Sequence, residues 1–242
     1  MNIAIDIGNT RVKSAVFEED KLVELYVFDK ENIISEIKKI LEKNIISKGV
    51  ISNVASVSDK MMEELKAIVN LQVVSASSKV PFINLYKTPK TLGVDRIALV
   101  AGAVFEYPQK NVLIIDAGTC ITFDFVNKKS EYLGGAISPG IKMRFAALNH
   151  FTANLPLLEK EEVVSFIGGN TNESMNSGVV NGVIQEIEGV INQYKKKYID
   201  LTVVLTGGDT NFLSKQLKSS IFANQNFVLQ GLNRILIFNI DK

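Results

Sequence analysis

Two segments of the same design, Asp6-Ile7-Gly8-Asn9-Thr10 and Asp116-Ala117-Gly118-Thr119, stand at an offset of 110 residues. Each joins two β-prone runs through a turn of Asp, Gly and Thr. A glycine lets backbone approach a phosphate closely, neighbouring N–H groups and Thr hydroxyls donate to its oxygens, and an Asp can hold the cation that offsets its charge. Two ordinary hairpin turns would use the same residue types for local reasons, but two copies in register favour the phosphate reading. On this reading Gly8 and Gly118 are expected to adopt positive φ. Arg11 and Lys13, alternating on one face of the following strand, are within reach of the same anion. The usual phosphate signatures, G-x-x-x-x-G-K-[ST] and G-x-G-x-x-G, are absent.

A second constellation is Tyr86 with Gly93-Val94-Asp95-Arg96. Gly93 marks a turn, Asp95 is placed to cap a helix beginning at Arg96, and an acid beside an arginine suits a site that takes a hydroxyl proton and holds an anionic substrate. A plain cap with a surface arginine is the alternative. Thr206-Gly207-Gly208-Asp209 follows a strand, and its paired glycines leave bare backbone for a flat ring.

These segments must be positioned by an α/β scaffold. Asn2 to Ile7, Val12 to Phe17 and Lys21 to Phe28 read as strands, Asn32 to Leu41 as an amphipathic helix, Gly49 to Asn53 as a strand, and a helix follows a cap at Ser58 or Asp59. Asn111 to Ile115, Cys120 to Val126 and Tyr132 to Ile137 repeat the three-strand opening. A long helix over about Thr171 to Lys197, a strand Leu201 to Leu205 and a terminal helix from Gly231 follow. Two domains of similar topology, 1–110 and 111–242, with a cleft between them, are expected. Ser75 to Gly93 is the main irregular region, and Lys195 to Lys197 suit a helix C-terminus.

Composition removes several classes of function. The chain has 242 residues, long enough for one large domain or two of roughly 120, with a net charge of +1. That balance predicts no nucleic-acid partner and no membrane surface. One cysteine, Cys120, and one histidine, His150, exclude an intrachain disulfide and a Cys/His zinc site. His150, beside Phe151, reads as a packed or surface imidazole. The start lacks a secretion-signal pattern, so a cytoplasmic protein is expected.

Taken together and in this order, the motifs resemble the type III pantothenate kinases, members of the acetate and sugar kinase, Hsc70 and actin superfamily. Leu133 to Gly140, Gly169-Asn170-Thr171 and Ser174 to Gly178 extend the resemblance over nearly the whole chain. It implies two actin-like (ribonuclease H-like) α/β domains and transfer of the ATP γ-phosphoryl group to pantothenate. It implies Asp95 as general base, with Tyr86, Gly93, Val94, Asp95, Arg96 and Thr171 at pantothenate. Asp6, Ile7, Gly8, Asn9, Thr10, Arg11, Val12, Lys13 and Thr119 are implied at ATP. Mg2+ is expected with Asp6, and a monovalent cation, K+ or NH4+, at Asp116. A homodimer in which Thr171 acts across the interface is also implied. Ile97-Ala98-Leu99-Val100 and Arg144 to His150 depart from the commoner family forms. A sugar or small-acid kinase of the same superfamily, or a noncatalytic regulator of the Bvg accessory factor kind, are the rival readings.

Overall fold

The computed structural model describes residues 1–8, 11–53, 57–163 and 165–240. Two compact units are present: Met1–Gln109 with Val126–Gly134 and Asn226–Lys242, and Lys110–Phe125 with Gly135–Gln225.

The first unit opens with β1 (Asn2–Ile7), β2 (Val12–Glu18) and β3 (Lys21–Phe28), then α1 (Ile33–Lys43), β4 (Lys48–Asn53), α2 (Asp59–Ile68), β5 (Leu71–Val73), β6 (Ile83–Asn84) and α3 (Val94–Glu106). Its sheet has the order β3-β2-β1-β4-β5, with β1 antiparallel to β2 and parallel to β4. Alternation drives the packing: Ile3, Ile5 and Ile7 of β1 meet Ile33, Ile37 and Ile40 of α1, whose spacing puts them on one helical face. Burying each such side chain is worth about 1.5–3 kcal/mol. The Ser58 hydroxyl caps α2 by accepting from the Met61 N–H at 3.3 Å.

The second sheet runs β11-β10-β7-β8-β9-β6. Its strands are β7 (Asn111–Ala117), β8 (Cys120–Val126), β9 (Glu131–Pro139), β10 (Leu201–Thr206) and β11 (Phe222–Ala223), with α4 (Ile141–Phe151), α5 (Thr171–Asn176), α6 (Gly182–Lys197) and α7 (Thr210–Leu213) between or after them. Leaving β6 aside, the order 9-8-7-10-11 repeats 3-2-1-4-5 of the first sheet, with β7, β10 and β11 parallel as β1, β4 and β5 are. The expected doubled actin-like topology is therefore present, and both Asp-x-Gly turns join the first two strands of a sheet.

Several expectations need correction. α8 (Phe227–Ile240) begins four residues before Gly231. Gly231 is interior to it because a Cβ there would lie 1.9 Å from the Ala98 carbonyl oxygen. Mid-helix Gly costs about 1 kcal/mol, offset here by close packing of α8 on α3. The long helix from Thr171 is interrupted by a π turn over Ser177–Asn181. α4 has no counterpart among the elements expected from the sequence. Its mixed faces, burying only Ile141 and Phe145, leave no strong period to read. Lys195 to Lys197 do end α6, and His150 is exposed, edge-on to Phe151.

Candidate functional site

Register builds the first half of the site. Asp6 at the end of β1 pairs with Lys13 on β2 and Ser52 on β4, so residues 46 positions apart share one sheet face. The Ser52 hydroxyl donates to Asp6 Oδ1. Part of the Asp6 residue stays open, yet its carboxyl is deep among protein atoms, and that burial pushes its pKa above the ordinary carboxylate value. The Ser52 bond opposes the rise, the Asp95 charge adds to it, and Lys13 opposes it. Asp95 thus lies within electrostatic reach of Asp6, and two carboxyl groups are gathered beside one lysine.

A raised folded pKa favours the neutral acid. The stability Asp6 contributes is complete below the ordinary carboxylate pKa of 3.8 and is lost as pH rises through the folded value. Asp6→Asn should therefore raise the melting temperature of nucleotide-free protein at pH 8, with the gain shrinking towards pH 4. A gain independent of pH, or a loss at pH 8, would contradict this.

Asp95 sits in the first turn of α3, but the cap is Gly93 and not Asp95. Asp95 Oδ1 instead accepts from the N–H of Arg96 at 2.8 Å. The difference arises because the helix starts two residues earlier than expected, at Val94, which makes Asp95 its second residue. Val94 is partly exposed, whereas Arg96 is buried, with its guanidinium carbon 5.6 Å from the Tyr86 ring centroid. Tyr86 stacks on Tyr132 with centroids 6.0 Å apart. The Tyr86 ring also lies over Gly134, whose φ is +99° and where an added Cβ would approach the ring to 3.1 Å. The first unit therefore brings Asp6, Lys13 and Asp95 together, and sets Tyr86 and Arg96 beside one another.

Ile7 and Val12 are wholly buried and can offer a ligand only backbone. The Gly8 N–H donates to the Arg11 carbonyl at 3.1 Å, closing the turn. Arg11 is exposed and precedes β2, so it does not alternate with Lys13 within that strand. Asn9 and Thr10 lie outside the described residues.

The second unit repeats the device. Asp116 at the end of β7 pairs with Thr206 on β10, as Asp6 does with Ser52. Three motifs then converge on backbone. The Asp209 N–H donates to the Ala117 carbonyl at 2.9 Å. Gly207, with φ +97°, lies so close that a Cβ would be 2.3 Å from the Ala117 oxygen and 2.4 Å from Asp116 Oδ1. Gly140 packs on the Gly118 and Thr119 carbonyls, where a Cβ would come within 2.2 and 2.4 Å. Thr119 itself is exposed. Positive φ among glycines occurs at Gly134 and Gly207 and not at Gly8 or Gly118, so that expectation fails. Instead the Gly8 and Gly118 N–H groups donate to the Arg11 and Cys120 carbonyls at 3.1 and 2.9 Å.

Thr171 is the first residue of α5 and is exposed. Asn170 caps this helix, its Oδ1 accepting from the Glu173 N–H at 3.0 Å, while the Glu173 carboxylate accepts from the Gly169 N–H at 2.7 Å. An open groove of about 880 Å³ beside it is lined by Thr171, Leu148, Phe151, Met175 and Arg144, among others.

Sequence reading missed Ser52, Tyr132 and Lys160. Ser52 had a signal, since it ends a strand that must run parallel to β1. Tyr132 and Lys160 had none, because their roles depend on contacts made across the fold.

The type III pantothenate kinase family model matches residues 2–193. A type III pantothenate kinase from Christiangramia forsetii is 49% identical over 240 residues, covering 99% of both chains. One from Flavobacterium johnsoniae is 44% identical over 242 residues, covering 100% of this chain and 99% of its own. A solved structure from Campylobacter jejuni, described as a Baf family transcriptional activator, matches with TM-score 0.64 at 22% identity. It covers 99% of this chain and 100% of its own, a likeness of fold. With matches of this length and identity, the chain belongs to the type III pantothenate kinase family.

Proposed function

We propose that the chain transfers the γ-phosphoryl group of ATP to the primary hydroxyl of pantothenate, giving 4'-phosphopantothenate and ADP in coenzyme A biosynthesis. The observation that carries the residue assignment is the grouping of Asp95, Asp6 and Lys13 in one unit, with Tyr86 and Arg96 alongside. Asp95 takes the hydroxyl proton as the oxygen bonds to the γ-phosphorus and the bond to the β–γ bridging oxygen breaks. Arg96 and Tyr86, with Gly93 and Val94, hold pantothenate through charge and ring contact. Residues 6–13 and Thr119 hold the nucleotide.

The donor set fits a divalent cation. Among the described residues no group of three or more His, Cys, Asp or Glu could form an all-protein metal cage. Mg2+ characteristically takes one or two carboxylates and completes its shell with phosphates and water. Asp6, a costly buried anion near a second carboxylate, suits that role, and Mg2+ bound there would neutralise charge on the phosphates. For a monovalent cation the supporting feature is the wholly buried Thr206 hydroxyl, which lacks a hydrogen-bond partner and pairs in register with Asp116. Pairing of two copies is supported by the apolar groove at Thr171 and by Phe151, exposed to 80%. No described helix is long and apolar enough to cross a membrane.

Purified protein supplied with ATP, Mg2+ and pantothenate should yield phosphopantothenate, while a panel of sugars and small hydroxy acids should not be phosphorylated. No turnover of pantothenate, or faster turnover of another acceptor, would reject the reading. The rate should rise severalfold in K+ or NH4+ over Na+. Equal rates in these salts would remove the cation from Asp116.

A further inference from the structure

The segment between α4 and α5 contributes one charged side chain to the Thr206–Asp209 turn. Lys160 forms an ion pair with Asp209 Oδ1, and its Nζ lies 5.1 Å from the centroid of the Phe212 ring on α7. The two side chains are 29% and 15% exposed, so the pair is largely shielded from solvent. The turn backbone does not need this contact to hold its shape. The Asp209 N–H is bound to Ala117, the Thr210 hydroxyl donates to the Gly207 carbonyl at 2.8 Å, and the Asp209 carbonyl accepts from Leu213 N–H at 2.9 Å.

What the turn lacks without Lys160 is charge balance. Asp209 and Asp116 are two carboxylates on adjoining motifs, and a nucleotide bound here brings several more negative charges. A partly desolvated, unpaired carboxylate at this turn would repel the charged nucleotide whose ring lies on the turn's bare glycine backbone. Lys160 is itself anchored, because the next residue's N–H, that of Glu161, donates to the buried Asn176 Oδ1 at 3.2 Å.

We propose that Lys160 is a positioning residue for the nucleotide, neutralising Asp209 so that the Thr206–Asp209 turn accepts an anionic ligand. This rests on the reading of that turn as a nucleotide contact. Lys160 touches no reacting atom, so its effect should appear in the KM for ATP and spare kcat.

The test compares Lys160→Met, Lys160→Arg and Lys160→Glu in steady-state kinetics, with melting curves to verify folding. The Met variant keeps the apolar stem over Phe212 and should raise the KM for ATP roughly tenfold, with kcat and the KM for pantothenate changed less than twofold. The Arg variant should restore most of the affinity, and the Glu variant should be worse than Met. Unchanged KM for ATP in folded Lys160→Met, or equal losses in kcat and both KM values, would overturn the proposal. Photolabelling of the unsubstituted protein with 8-azido-ATP separates the two readings. Label in the peptide spanning 206–213 with an unchanged Met variant refutes the role of Lys160 alone, whereas no label there refutes the nucleotide reading of the turn.

Discussion

Asp95→Asn should leave folding and ATP binding intact and lower kcat by on the order of 100-fold or more, the usual share of a general base. The amide keeps the Oδ1 that accepts from the Arg96 N–H, so the first turn of α3 should retain its geometry. The substitution also removes one of the charges that raise the Asp6 pKa, so Asp6 should ionise more readily in the variant. Loss of the base and improved cation holding then act in opposite directions. ATP affinity measured by calorimetry should be unchanged or slightly tighter while turnover collapses. Near-normal kcat in a folded variant would show that Asp95 does not accept the proton.

The second large effect is expected at Gly207. A Cβ there meets the Ala117 oxygen and Asp116 Oδ1 at 2.3 and 2.4 Å, and the backbone has φ +97°, where side chains are strained. Gly207→Ala should cost about 3 kcal/mol or more of stability and displace the Asp116 carboxylate. Gly118→Ala supplies the contrast, since its Cβ would meet nothing within 4 Å and should change stability by less than about 0.5 kcal/mol. Urea denaturation measures both. Equal stabilities would mean that the turn relaxes around the added methyl group and that its close packing on Asp116 is dispensable.

Much of this was legible in the sequence because it is local. The strands that carry Asp6 and Asp116 are short apolar runs buried nearly throughout, α1 carries isoleucines at helical spacing, and the repeated turns align the two halves. Gly207 and Gly118 look alike in sequence, and only the path of the backbone separates a glycine required by φ from one that is merely open. Tyr132 and Lys160 were unreadable for a related reason. A ring that supports Tyr86, or an amine that neutralises Asp209 49 residues away, leaves no local pattern. The capping role expected of Asp95 failed by two residues, within the usual margin of uncertainty at a helix end.

The packing of α8 bears on how the polypeptide is made. The Asn233 side chain accepts from Asn2 and donates to the Glu19 carbonyl, and Gly231 lies against Ala98 on α3. β1 therefore waits for a partner synthesised 231 residues later. Until then one face of its sheet exposes apolar surface that α8 will cover, a state prone to self-association. Nascent chains halted before α8 should depend on chaperones, although most of that unit has already been translated.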